Sequence, residues 1–446
     1  MQLKLKHIPL LLIGLILAFC LLVWTINLSI FDEEPSAGVQ QTLKPHEMPQ
    51  TDENAYFFLF GFEASADKAP HSAGQSLQQR YEKNRDVLGK DELLADDYAE
   101  ILGGVGKDKV WLESFERCRS RTDDDCFERA IAQLEKLDFE SARLSLMLKR
   151  YDALVQYRDF AYPHGFTFYS PIPGYATPLA LQQITLARSA QYKSTSLFLD
   201  TVEKDLAFWR MLLSKGSSLI DKMVAIAAIW NDLKFLSAYF NTTDMNDAER
   251  EKVLEILSDL NAEEVDISEA FVFEARSMYH QLENLTADEL ESFFESSSWF
   301  MGQMIQTNAT NNSHYELYLK PLLDLSKLTS EEFYIALPEG ASKFEEGLKV
   351  SLSPGNLYNL GGKVLLQNSG WMASDYIARV HDLSGMFSLV KLQLSLKGFP
   401  KEEWPSIIAG SQYKNPYNNH PFEWDLEKAQ LGFKCMNEGS SCAIKL

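Results

Sequence analysis

Met223-Val-Ala-Ile-Ala-Ala-Ile-Trp230 is apolar on every helical face, between Lys222 and Asn231. As a helix, eight residues rise only about 12 Å, too little to cross a bilayer core of roughly 30 Å. A helix that is hydrophobic all round belongs in a core. Residues Ser217 to Phe240 are therefore predicted as the central helix of a helical body. Before it, Ser196–Ser214 aligns Phe198, Val202, Leu206, Trp209 and Leu213 on one face, and Gly216 ends the pattern. Further helices are predicted over Pro178–Gln191 and Phe139–Tyr157, the latter with Leu144, Leu148, Tyr151 and Val155 on one face.

Outward from this group, helical patterns cover Gln75–Leu102, Asp247–Leu260, Ile267–Glu283, Ala287–Gln306 and Gly370–Leu396. The short apolar run Asn54–Phe62 reads as a buried first helix or entry segment. Thr307–Ser313 reads as a polar loop, and Phe333–Ser353 alternates loosely with a short strand expected around Leu348–Leu352. Tyr157–Pro178 breaks the helical pattern with four prolines and, after Tyr157, six further aromatic residues. Its rings are expected to pack across neighbouring helices, with ligand or partner binding as the alternative. In the tail, prolines and paired asparagines between aromatic runs predict turns joining short strands. The fold class is thus an all-α ectodomain with a small C-terminal β-hairpin.

The second decisive stretch is Ile8–Ile30, IPLLLIGLILAFCLLVWTINLSI, which carries no charge. It is long enough to span a bilayer. Lys4, Lys6 and His7 precede it and Asp32, Glu33 and Glu34 follow, so the N-terminus is expected in the cytoplasm. The run is longer than a signal-peptide core and lacks small residues at a cleavage site. Leu17-Ala18-Phe19-Cys20 approaches a lipoprotein box, but Phe19 is bulky and the chain beyond Cys20 stays apolar. A retained signal anchor is expected, with a cleaved or lipidated start as the alternative. The domain reading is 1–30 for the cytoplasmic tip and transmembrane helix, and 31–53 for a flexible tether. The ectodomain follows as 54–240 and 245–446, the latter ending in the hairpin region 397–446.

Hydrophobic residues make up 46% of the chain and aromatics 12%, which excludes a disordered protein. A formal charge of −21 disfavours nucleic acid and anionic lipid headgroups as ligands. Four cysteines form two close pairs, Cys118 with Cys126 and Cys435 with Cys442. In an oxidising compartment each pair predicts a disulfide. The C-x7-C and C-x6-C spacings are wider than zinc ligands prefer.

The common zinc-protease, α/β-hydrolase and penicillin-recognising signatures, H-E-x-x-H, G-x-S-x-G and a partnered S-x-x-K, are missing. Gly103-Gly104-Val105-Gly106-Lys107-Asp108 echoes a phosphate loop but ends in Asp, and reads as a helix end. Asp123-Asp124-Asp125 lacks the alternation of a calcium loop and reads as a helix cap. The ectodomain histidines (His46, His71, His164, His280, His314, His381, His420) show no ligand spacing, and His381-Asp382 reads as surface or second-layer. The acid pairs Glu345-Glu346 and Glu402-Glu403 would act as a glycosidase does only across a cleft. No catalytic residue, cofactor or metal is therefore assigned.

Several short motifs, Asn54-Ala-Tyr…Gly61-Phe62, Cys118 with Asp125-Cys126, Lys149-Arg150-Tyr151, Ser353-Pro-Gly-Asn356…Gly361-Gly362 and Asn415-Pro-Tyr417…Pro421-Phe-Glu-Trp-Asp425, stand in this order. In that order the chain resembles an uncharacterised group of membrane-anchored helical proteins of Gram-negative bacteria. The last motif also resembles the closing hairpin of some periplasmic and pseudopilin-like proteins. The resemblance implies a helical fold and a periplasmic address, and it carries no activity. Two functions are expected from the sequence. The first is an inner-membrane scaffold that binds another envelope protein; the second is an envelope hydrolase using acidic residues on glycan or peptide.

Overall fold

The structure is a computed structural model that describes residues 8–44, 54–89, 93–103, 115–163, 170–192, 194–285, 302–347, 357–368, 374–437 and 439–446. The protein is mostly helical and forms two compact units, each built from separated stretches of chain. One comprises Met1–Pro45, Phe271–Leu325 and Ala336–Ser374; the other comprises His46–Ala270, Ser326–Ile335 and Asp375–Leu446. The polar break expected at Asn241–Asn246 lies inside the second unit.

The second unit is organised on the helix Leu219–Thr242, which is mostly buried. Ser218 starts it: its hydroxyl accepts from Asp221 N at 3.1 Å while the Asp221 carboxylate accepts from Ser218 N at 3.2 Å, a capping box. Helix Thr195–Lys215 packs beside it, capped by Ser194 and burying Phe198, Val202, Leu206, Trp209 and Leu213 as the periodicity requires. Helix Ala176–Gln191 packs on both, and helix Cys126–Leu134 lies against it. The first apolar run forms the helix Ala55–Phe60, buried beside Pro70–Leu88. The approach is so close that a side chain at Gly74 would strike the Phe57 carbonyl.

At the C-terminus, β1 (Glu423–Asp425), β2 (Gln430–Gly432) and β3 (Ala443–Lys445) form an antiparallel sheet in that order. Trp424 pairs with Leu431 and Leu431 with Ile444, and β3 lies against the central helix. The expected hairpin thus gains a third strand.

In the first unit the apolar helix Ile8–Ile26 leads into a turn where Asn27 is buried and bound on several sides. Its amide donates to Leu357 O at 2.8 Å and its Oδ1 accepts from Asn359 N at 2.7 Å. Asp32 accepts from Asn308 N and Ala309 N at 2.9 and 3.0 Å. Residues 31–44, expected as the start of a tether, therefore pack within this unit and carry the short helix Ala37–Thr42.

The structure departs from the expected local pattern at several points. Thr307–His314 is a helix and not a polar loop, because the distant Asp32 carboxylate takes its first N–H groups. Ser330–Gly347 is one helix through Pro338, where loose alternation was expected; Thr329 and Glu332 cap it reciprocally. Asp125 makes no side-chain cap for helix Cys126–Leu134 and pairs instead with Arg129 at 3.3 Å. The expected strand at Leu348–Leu352 and the Ser353–Asn356 motif lie outside the described residues, as does most of the expected Ala287–Gln306 helix.

One buried cation fixes the loop after the first helix. Arg150, on helix Ala142–Leu154, donates to the carbonyls of Phe62, Ala64, Ser65 and Lys68, at 2.9 Å for Phe62 and Ser65 and 3.0 Å for Lys68. Arg150→Ala leaves these buried carbonyls unsatisfied and is expected to cost about 3 kcal/mol or more. Arg150→Lys should recover less than half, because an ammonium lacks the planar fork. Urea unfolding of the three proteins checks both.

Candidate functional site

The most chemically unusual region is the polar centre on the central helix. An all-apolar octet occupies its middle, yet Asp221, Lys222, Asn231, Asp232 and Lys234 on the same helix are all buried. All but Asp232 meet hydrogen-bond partners from different parts of the second unit.

Asp221 accepts Tyr162 OH at 3.0 Å and Tyr175 OH at 2.6 Å, so these two rings of the aromatic loop pack inward; Phe166, Phe168 and Tyr169 lie outside the described residues. Burial raises the Asp221 pKa, opposed by hydrogen bonds from Tyr175, Ser218 and Tyr162. Next to it, Lys222 donates to Leu213 O and, at 3.0 Å, to Ser214 O, closing the C-terminal end of helix Thr195–Lys215. Burial pushes this lysine down to about 8.

About two and a half turns beyond Lys222, beside Asn231 and Asp232, Asp205 of helix Thr195–Lys215 accepts from Gln182 Nε2 at 2.6 Å and from Tyr151 OH. Gln182 is fixed in turn by Asn231 Nδ2 on its Oε1 at 2.9 Å. Trp209 Nε1 donates to Tyr151 OH at 3.3 Å. Asp232 faces this group with both carboxyl oxygens outside well-formed hydrogen bonds. Burial pushes Asp205 up to about 6. Burial, then the Asp205 charge, push Asp232 well above the carboxylate range. Two carboxyls facing each other in a dry interior cannot both ionise, so the pair holds a proton.

The predicted cysteines stand as pairs at disulfide distance: Cα atoms are 5.4 Å apart for Cys118 and Cys126, and 5.5 Å for Cys435 and Cys442. His381 and Asp382, expected near the surface, are buried. Helix Ser374–Leu396 turns this face inward, where His381 Nδ1 meets Ser330 Oγ at 2.9 Å. Asp382 accepts Tyr417 OH at 2.6 Å and the Met436 and Asn437 N–H groups at 2.9 and 3.0 Å. Burial lowers His381 to about 4 and raises Asp382. In the first unit His314 is likewise lowered to about 4 by burial, its ring stacked on Tyr318 and its Nδ1 3.1 Å from Tyr279 OH. His71 is half-buried against Tyr157, and His280, His420, Glu402 and Glu403 are exposed. His46, His164 and the side chains of Glu345 and Glu346 lie outside the described residues.

None of the three described grooves is lined by Asp205, Asp221 or Asp232. The largest, about 440 Å³, runs between helices Thr195–Lys215 and Asp247–Ile256 over Leu206, Arg210 and Ile256. Arg210 is fully engaged there, with Glu264 at 2.6 and 2.8 Å and the Ser258 and Asp259 carbonyls at 2.9 Å each. Compared with family models, curated proteins and solved structures, the chain matches none.

Sequence reading passed over Asp205, although its position is legible. It falls on the stripe of Phe198, Val202 and Trp209, three residues beyond Val202 and four before Trp209.

The raised carboxyls bind more protons in the folded than in the unfolded chain, where an aspartate titrates near about 3.9. The contribution of these carboxyls to stability therefore falls as pH rises from about 4, opposed up to about 6.5 by His314 and His381, which burial holds neutral. For Asp205 the loss runs through about 6, and Asp232 continues it above that. Asp232→Asn is expected to flatten this fall and to be more stable than the parent at pH 8. Urea unfolding of parent and variant at pH 5 and pH 8 measures it; a stability difference that does not shift toward the variant with rising pH would contradict the shared proton.

Proposed function

We propose that this chain is a single-pass inner-membrane protein whose helical body acts in the periplasm as a non-enzymatic scaffold that binds another envelope protein. The observation carrying the membrane part is the helix Ile8–Ile26. Leu11, Leu12, Ile13, Leu15, Ile16, Leu17, Phe19, Leu21, Leu22 and Trp24 are 46–64% exposed around it. A charge-free helix with apolar side chains open on all sides requires an apolar medium. Nineteen residues give about 28 Å, close to the hydrocarbon thickness. Lys4 and Lys6 before it and Asp32, Glu33 and Glu34 after it orient the N-terminus to the cytoplasm. Among the described residues, Leu219–Thr242 is also long and apolar enough to cross a membrane, and its burial marks it as a core helix.

The scaffold part is supported by the burial of the chemistry. Asp205 is 3% exposed and Asp221 and Asp232 are 0% exposed, away from the described grooves. Two disulfides fit an oxidising compartment. The second reading, an envelope hydrolase acting on glycan or peptide, takes its support from the raised Asp205–Asp232 pair, which would need a route to solvent.

Alkaline extraction of membranes is expected to leave the full chain in the pellet, and Leu12→Lys with Ile16→Lys to move it into the soluble fraction. A C-terminal reporter active only outside the cytoplasm should be active. In-cell crosslinking followed by mass spectrometry should return one reproducible envelope partner. Extraction of the parent would sink the anchor; cell-wall turnover lost in Asp205→Asn would favour the hydrolase.

A further inference from the structure

Two loops, each closed by a disulfide, lie more than 300 residues apart in sequence and dock on each other. Arg121, inside the Cys118–Cys126 loop, donates through Nη2 to Asn437 Oδ1 at 2.7 Å and Ser440 Oγ at 2.8 Å. Both acceptors lie inside the Cys435–Cys442 loop. In return, Ser441 N donates to Arg121 O at 2.6 Å and Ser441 Oγ to Asp124 Oδ1 at 3.0 Å. Each loop is therefore the other's binding surface.

The four sulfurs are unequally accessible. Cys118, Cys126 and Cys442 are 5%, 2% and 3% exposed, whereas Cys435 is half-buried. Cys126 shares a cleft of about 30 Å³ with Ile444 and Lys445, the residues just beyond Cys442. Reactivity runs the other way. The Arg129 guanidinium touches the Cys118 sulfur and favours its thiolate as a leaving group. The Asp123 carboxylate stands as near the inner sulfurs as Asp382 does to the outer ones, within 4.8 Å, but it is paired with Arg129 at 2.6 Å, whereas Asp382 disfavours a thiolate at Cys435 or Cys442. The inner bond is the readier to open, and the docked outer loop covers it.

We propose that the two loops form an ordered redox latch: a dithiol reductant opens Cys435–Cys442 first, and only the release of that loop admits it to Cys118–Cys126. The thiolate of the dithiol attacks the Cys435 sulfur and Cys442 leaves as thiolate, taking up a proton. The second thiol of the reductant then displaces Cys435 from the mixed disulfide. Two electrons and two protons pass to the protein, and the reductant ends as a disulfide. What the latch holds is the C-terminal sheet. Asn241 Nδ2 donates to Lys445 O at 2.8 Å, Lys234 donates to Ala443 O, and Asp382 holds the backbone of Met436 and Asn437. Opening the outer bond loosens β3 from the central helix. This proposal stands apart from the envelope reading.

The test is a dithiothreitol time course on the full-length protein in detergent, with alkylation and peptide mass spectrometry. Cys435 and Cys442 should label first, with Cys118 and Cys126 lagging by about tenfold in rate. The lag should vanish in the Cys435→Ser, Cys442→Ser double variant. In Arg121→Ala, which leaves both disulfides intact, the inner pair should become the faster of the two. Circular dichroism of each variant separates undocking from unfolding, and Arg121→Ala carries the test if the double variant fails to fold. Simultaneous labelling in the parent, inner-first labelling in the parent, or an unchanged lag in Arg121→Ala would each overturn the latch.

Discussion

The constraint on which the larger unit depends is that a helix buried on all sides must find partners inside the protein for every polar group it carries. Leu219–Thr242 meets it by calling on the whole unit. The aromatic loop answers Asp221 with two phenols, and the carbonyl end of helix Thr195–Lys215 answers Lys222. Gln182 answers Asn231, and Asp124 with β3 answers Lys234. An unpaired buried charge costs several kcal/mol, so these contacts select one arrangement of the surrounding elements more sharply than apolar packing alone would. Asp232 is an exception, as is the Trp230 indole N–H. Among the described residues no cation pairs with Asp232, and burial beside Asp205 keeps it protonated.

The smaller unit solves a related problem at the end of its apolar helix. A helix terminus leaves carbonyls without partners, and Asn27 turns back to accept that duty: its amide donates to Val23 O at 2.8 Å while its other contacts reach Leu357 and Asn359. Gln306 adds a hydrogen bond to the Asn27 carbonyl. The apolar helix is therefore joined to its unit by buried amide contacts and not by a free linker.

Much of the helical body was legible in the sequence because its signals are local. Ser141, Ser194, Ser218, Asn246 and Asn261 each accept from a backbone N–H two or three residues on, as N-caps do. The stripe from Phe198 to Leu213 announced its buried face, and Gly103 (φ 74°) marks a helix end as read. The misreadings share one cause: the deciding partner was far away. Thr307–His314 is a string of polar residues that becomes helical with Asp32 at its start. His381 and Asp382 look like surface residues until Ser330, Tyr417 and the Cys435–Cys442 loop close over them. The helix through Pro338 is a different case, since the Thr329–Glu332 capping box was present locally and the loose alternation of Phe333–Ser353 was read in its place. Of the candidate site, the cysteine pairs followed from spacing, whereas the meeting of Asp205 with Asp232 carries no local signal.

The interleaving of the two units bears on how the chain acquires its structure in time. The smaller unit takes residues up to Pro45 and again from Phe271 to Ser374, and the larger takes its last stretch from Asp375 to Leu446. At roughly 5–20 residues per second of synthesis, the first segment waits on the order of tens of seconds for its partners. Asp32 is made long before the Asn308 amide it caps, and Arg121 before the Asn437 it holds. Neither unit can close from its N-terminal portion alone, so the nascent chain carries exposed apolar surface through most of its synthesis. A product truncated between Asp375 and Leu446 would lack the closing stretch of the larger unit, and one truncated before Phe271 would lack the completing stretches of both.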